Sequence, residues 1–233
     1  MPSRPKPARK QPRVAVRSAR VDPPRTVTLQ TSLSRAQCQT LCNFAMLVQH
    51  AACMFIPRSA PGMGEERLEI PCDCLKEFER RLPRLAFPLL RTAGPLCRAV
   101  LAVIRWAIPR VAQELTAAGV PRVPGKRCFA SVMLVKPGAS PQDVHRDMAF
   151  AGKLGYYTVC IPATAHAGQG TTEYGQGEPF STLEGTYGHR GGVPHRGGMN
   201  SSEHPRVFLA LIFSDGMDPN RIGYPRVASF GCM

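Results

Sequence analysis

His145-Arg146-Asp147 puts an imidazole and a carboxylate two positions apart in the chain. On extended backbone, residues i and i+2 face the same side, so the two groups can converge on one point. The segment before them, Lys136-Pro-Gly-Ala-Ser-Pro141, has the composition of a turn that closes an apolar run. Two ligands hold a metal weakly, and the next candidate lies fifty residues on, at His195. It opens the run His195-Arg-Gly-Gly-Met-Asn200-Ser-Ser-Glu-His-Pro-Arg206, followed by the apolar stretch Val207–Phe213. Gly197, Gly198, Asn200 and Ser201 are turn formers, and a fold-back there would carry Arg206 beside His195.

Two histidines and one carboxylate on one side of an octahedron leave three positions open, the arrangement associated with non-haem Fe(II) oxygenases. Structural zinc wants four closed ligands, often thiolates. The cosubstrate of such enzymes, 2-oxoglutarate, carries a distal carboxylate, and a guanidinium fork pairs with a carboxylate bidentately where lysine offers a point charge. Arg206 is the candidate for that contact, and Thr158 on a neighbouring strand offers a hydroxyl to the same cosubstrate. His189 competes for the place of third ligand, but it stands seventeen residues from Arg206 against eleven for His195.

Three blocks, Lys136 to Asp147, Gly170-Thr-Thr-Glu173-Tyr-Gly-Gln-Gly177 and His195 to Arg206, resemble in order and spacing the signature blocks of the phytanoyl-CoA dioxygenase-like family of Fe(II)/2-oxoglutarate oxygenases. The resemblance covers roughly residues 128–214. It implies a double-stranded β-helix, the jelly-roll or cupin-like core. It also implies iron held by His145, Asp147 and His195, and a salt bridge from Arg206 to the 2-oxoglutarate carboxylate. Many family members close the middle block with Gly-Ser-His, where this chain has Gly175-Gln-Gly-Glu-Pro179. Asp147 is present where related halogenases carry a small residue, so hydroxylation with dioxygen is the expected reaction, on a small organic substrate whose identity the motifs leave open.

The elements that must position these groups follow from pattern and punctuation. Residues 34–56 read as a helix capped by Ser34, with Cys38, Leu41, Cys42, Ala45, Met46 and Val48 near a 3.6 period. Asp73 can cap a charged helix, and Pro95 can open a longer one reaching about Ala118, kinked at Pro109 and ended by Gly119 and Pro121. From Cys128 the pattern changes to short β-type runs at 128–136, 155–162, 180–187 and 207–213. The fold class is therefore α+β, with a helical part over about 28–120 packed on a jelly-roll core over about 121–233 and an oxygenase domain spanning 28–233.

The chain of 233 residues carries net charge +14. Residues 1–27 contain eight Lys and Arg against the single acid Asp22, half of that charge in a proline-rich segment that reads as a disordered basic tail. Such a tail is compatible with an inert arm, a polyanion contact or an organelle transit peptide. The rival to an enzyme is accordingly a catalytically inactive jelly-roll binding protein acting through this tail on nucleic acid or another polyanion. No apolar run reaches the ~18 residues of a membrane span. Nine cysteines without paired spacing point to a reducing, intracellular, cytoplasmic setting. Nothing in the pattern sets the oligomeric state.

Overall fold

A computed structural model describes residues 25–55, 67–71, 90–120, 128–146, 157–175 and 181–213. Helix α1 (Arg35–Phe55) starts as expected. Gln37 N donates to Ser34 Oγ at 3.3 Å, and Ser34 N donates back to Gln37 Oε1 at 2.8 Å. This reciprocal box satisfies two donors that a helix start leaves orphaned. Leu41, Phe44, Ala45 and Val48 form its buried stripe.

Helix α2 (Leu90–Ala117) ends on Gly119, whose φ of +81° suits a residue without a Cβ. Val120 N donates to Leu115 O and Gly119 N to Thr116 O, both at 3.0 Å, which closes the last turn. Pro95 was expected to open this helix and instead lies inside it. Both Pro95 and Pro109 are exposed, so water can satisfy the carbonyls that lack an N–H partner. The helix expected after Asp73 falls outside the described residues.

The strands are β1 (Thr26–Leu29), β2 (Arg67–Pro71), β3 (Cys128–Val135), β4 (Tyr157–Pro162), β5 (Thr172–Tyr174), β6 (Ser181–Thr182), β7 (Thr186–Arg190), β8 (His195–Gly197) and β9 (Arg206–Phe213). They form a six-stranded sheet, β1-β7-β4-β9-β3-β2, and a three-stranded sheet, β6-β5-β8. His145 pairs with His195 and so extends the smaller sheet beyond β8. From β4 onward the chain crosses from the large sheet to the small one for β5 and β6, back for β7, across for β8 and back for β9, and every strand pair among the described residues is antiparallel. This winding is the jelly-roll core, and with the helices it makes the α+β class.

Three expectations change. Residues 180–187 are not one strand: Gly185, at φ +67°, separates β6 from β7, and the two belong to different sheets. Thr26 and Val27, assigned to the tail, belong to β1 and pair with His189 and Gly188. The front part is not wholly helical, because β1 and β2 form the two edges of the large sheet.

The large sheet has two different faces, set by the period of two. Val132, Leu134, Val159, Ile161, Val207, Leu209, Leu211 and Phe213 join the stripes of α1 and α2 in one core. The alternate residues, including Thr158, Cys160, Tyr187 and His189, face the smaller sheet. Among the described residues no helix is long and apolar enough to cross a membrane.

Glu114, near the end of α2, fastens the chain where it leaves β1. Its carboxylate accepts from Gln30 N, from Thr31 N at 3.2 Å and from Thr31 Oγ1 at 2.6 Å. Thr31 is buried, so Glu114→Ala strands donors that water reaches poorly, at a cost of about 1–3 kcal/mol. Thermal unfolding should show a midpoint lower by roughly 2–4 °C per kcal/mol lost. An unchanged midpoint would show that this anchor contributes nothing.

Candidate metal centre and anion pocket

The fold-back expected after His195 does not make a hairpin with β9, because β8 lies in the small sheet and β9 in the large one, where Arg206 pairs with Val135; the segment that pairs with His195 is that of His145. His145 N donates to His195 O at 2.8 Å and His195 N to His145 O at 2.9 Å, so the two residues form a hydrogen-bonded antiparallel pair. Their rings lie 4.5 Å apart between centroids. In each ring Nδ1 meets a carbonyl, that of Asp143 at 2.8 Å for His145 and that of Val193 at 2.9 Å for His195. A carbonyl can only accept, so both Nδ1 atoms carry hydrogen, and Nε2 is the ring nitrogen through which each could bind a metal. This is how metal-ligating histidines are held to one tautomer.

His145 is exposed while His195 is only 5% exposed, so the pair spans the wall of the barrel. Asp147 lies outside the described residues. Among the described residues no group of three or more His, Cys, Asp and Glu is arranged to hold a metal ion. The third ligand expected from the sequence is therefore not tested by geometry. His189, the alternative third ligand, does not complete such a group with the other two, although its ring lies 4.2 Å from that of His195. It is 1% exposed, and its Nδ1 is 3.1 Å from Tyr174 Oη.

The ladder is held in register by side chains that the motifs did not single out. Gln142 N donates to Gly197 O and Gly197 N to Gln142 Oε1, each at 2.9 Å. Arg67 Nη2, on β2, donates to the carbonyls of Ser140, Gly197 and Gly198, touching both strands of the histidine pair. Glu173 and Arg196 form an ion pair at 2.6 Å between β5 and β8. Arg196 is therefore a sheet-bracing residue here.

Arg206 opens β9, is 8% exposed, and donates through Nη1 to Gly170 O. Its Nε is buried with no hydrogen-bond partner. Burial pushes the guanidinium pKa below its ordinary value, opposed by nearby Tyr187, Cys160 and Glu173. An arginine never deprotonates in a protein, so this is a buried cation with one donor left over, the electrostatics of an anion receptor. Burial holds the neighbouring Tyr187 phenol well above its usual range, hence neutral. Its Oη lies 2.8 Å from Thr172 Oγ1.

Thr158 is buried on the same face as His189, its register partner, whereas Arg206 pairs with Val135 at the far end of β9. Thr158 and Arg206 therefore occupy opposite ends of the space between the sheets. The Tyr187 phenol, bonded to Thr172 Oγ1, lies near Arg206, and the motifs marked neither hydroxyl. The alternation of Tyr187 with His189 was the available signal. Cys160 is a buried member of the cluster with Tyr174 and Tyr187, as expected of a small hydrophobe. Tyr157 turns to the helix side of the sheet.

Asn200 serves the turn and not the metal, as its position suggested. Fully buried, its Nδ2 donates to Val135 O at 3.2 Å, Lys136 O at 3.0 Å and His204 O at 2.9 Å, and its Oδ1 accepts from Ser202 Oγ at 2.7 Å. His166 and His204 are exposed.

No protein-family model and no curated protein matches the chain. Among solved structures it is similar to the non-heme alpha ketoglutarate dependent epimerase SnoN from nogalamycin biosynthesis, with TM-score 0.50 and 17% identity over 82% of this chain and 78% of that one. The carbocyclase SnoK from the same biosynthesis aligns with TM-score 0.47 and 14% identity over 82% and 79% of the two chains. A Pseudomonas putida prolyl-4-hydroxylase aligns with TM-score 0.44 and 13% identity over 83% and 94%. At 17% identity the likeness to SnoN shows a shared fold.

The Asn200 contacts give an ordered prediction. Asn200→Ala leaves three carbonyls without that donor and should cost about 2–4 kcal/mol, at the upper end of ordinary substitutions. Asn200→Asp should cost more, because a carboxylate oxygen would face those carbonyls. Urea unfolding midpoints check the order, and an aspartate variant as stable as the alanine variant would contradict it.

Proposed function

We propose that the chain is an Fe(II)/2-oxoglutarate-dependent oxygenase of the phytanoyl-CoA dioxygenase-like type. The observation that carries this reading is the presence of two features in the space between the two sheets. One is a pair of histidines whose Nδ1 atoms are both committed to carbonyls. The other is a buried arginine with an unpartnered Nε. The donor set fits the metal, since two neutral imidazoles and the carboxylate of Asp147 are the ligand types of a facial Fe(II) site. The unpartnered Nε fits a dicarboxylate, because an incoming carboxylate would satisfy it and offset the buried charge. The jelly-roll fold, shared with SnoN, supports the reading as a scaffold and does not by itself select a reaction.

In this reading His145, Asp147 and His195 hold the iron, and Arg206 holds the distal carboxylate. Thr158 lies at the imidazole end of the cavity and can donate only to the metal-proximal part of the cosubstrate. When bound, Fe(II) with 2-oxoglutarate and dioxygen supplies an oxidative decarboxylation to succinate and carbon dioxide, coupled to oxidation of an organic substrate. The protein's own part is orientation and exclusion of water. The neutral Tyr187, buried Cys160 and half-buried Phe208 lie near the arginine and give it a largely apolar surround, which strengthens its hold on an anion. Hydroxylation of a small molecule is the proposed outcome.

Anaerobic protein with Fe(II) and 2-oxoglutarate should develop a weak visible charge-transfer band. His195→Ala and Asp147→Ala should each abolish it while the fold persists. Arg206→Ala should raise the 2-oxoglutarate concentration needed for half-maximal band by roughly 10–150-fold, the equivalent of losing a charged hydrogen bond. An unchanged requirement would remove Arg206 from the cosubstrate site. Absence of the band in folded wild-type protein would overturn the reading.

A further inference from the structure

The imidazole of His189 is buried between the sheets, and the proposed chemistry gives it no task. It stands on β7 in the large sheet, while His195 stands on β8 in the small one, so contact between them bridges the two layers. The rings are 4.2 Å apart between centroids and inclined by 48°. The His195 ring also meets that of His145, at 4.5 Å and 54°, and that of Tyr174, at 6.3 Å and 39°. His195 thus packs against rings from its own sheet and against one from the opposite sheet.

His189 is itself fixed. Its Nδ1 meets Tyr174 Oη at 3.1 Å, and the ring packs edge-on to that of Tyr174 at 5.4 Å. Tyr174 is the β5 residue in register with His195, so the brace returns to the strand beside the one it supports. Behind it, the backbone of β7 is pressed close to the helix-side core. A Cβ on Gly188 would come within 3.0 Å of Val159 Cγ2 and 3.2 Å of Val27 Cγ2. The strand beneath His189 therefore has little room to retreat.

We infer that His189 is a positioning residue for His195, a cross-sheet brace held by Tyr174 that fixes the plane of the metal-binding imidazole without ligating the metal. The inference rests on the metal-site reading above. The carbonyl of Val193 sets the His195 tautomer through one ring atom, Nδ1. The ring of His189, packed against the His195 ring from the opposite sheet, limits the turning of the imidazole about its own Cβ–Cγ bond. Outer-shell groups that orient a ligand typically contribute about 10–100-fold to metal affinity.

The test is a titration of the full chain with Co(II), read by its visible absorption, in wild type, His189→Ala, His189→Phe, Tyr174→Phe and His195→Ala, with circular dichroism to confirm folding. His189→Ala should weaken Co(II) binding by about 10–100-fold and change the band shape, reporting a loosened ligand field. His189→Phe, which keeps a ring against His195, should recover most of the lost affinity. Tyr174→Phe should fall between wild type and His189→Ala. Val111→Ala, which lowers stability from the buried stripe of α2, should bind Co(II) as wild type does and so separates bracing from general destabilisation. Wild-type affinity in His189→Ala overturns the inference, as does complete loss equal to that of His195→Ala, which would make His189 a ligand. If folded wild-type protein binds no Co(II), the metal-site reading fails first and the brace fails with it.

Discussion

Two reciprocal backbone hydrogen bonds between His145 and His195 are the constraint on which the rest of the site depends. Residues fifty apart in sequence become directly opposed, and their side chains must leave the ladder on the same face. A slip of one residue would turn one imidazole outward. The chain protects against that slip with Gln142, which bonds Gly197 through both backbone and side chain, and with Arg67, whose guanidinium spans carbonyls of both strands. Register here is held by polar contacts because the ladder lies at the wall of the barrel, where apolar burial is partial.

The large sheet supplies the opposite economy. Its helix-facing residues are mostly aliphatic and buried against α1 and α2, so packing against two helices fixes the strands from behind. Its inward residues are then free to be chemically varied: Thr158, Cys160, Tyr187, His189 and Arg206 occupy positions that a sandwich would otherwise fill with aliphatic side chains. Buried polar groups of this kind are costly unless paired. Tyr187 pairs with Thr172, and His189 with Tyr174.

Asn200 and Arg206 show the two ways a buried polar group can be treated. Asn200 spends its donors and acceptor on the connection between β8 and β9, and it makes a rigid turn. Arg206, six residues later, is left with one donor unmet at the inner end of the cavity. A turn requires closure, whereas a receptor for an anion requires a vacancy in its hydrogen bonding.

Much of this was legible in the chain because its signals are local. The Ser34 cap, the Gly119 stop, the strands at β3, β4 and β9, the i, i+2 spacing at His145 and the Gly-Gly-Met-Asn turn after His195 are each written within a few residues. The edge strands β1 and β2 were not legible, since neither is long enough to show a period and each exists by pairing with a partner about 60 to 160 residues away. The break at Gly185 was hidden because two short strands of different sheets read as one run. His189 looked like a spare ligand on spacing alone; its contact with His195 and its bond to Tyr174 arise from the packing of one sheet on the other. The same holds for the Tyr187–Thr172 pair and for the unmet donor of Arg206. Ligand types and strand patterns are properties of neighbouring residues. Which groups are braced, paired or left waiting in the cavity depends on distances between sheets, and folding alone sets those.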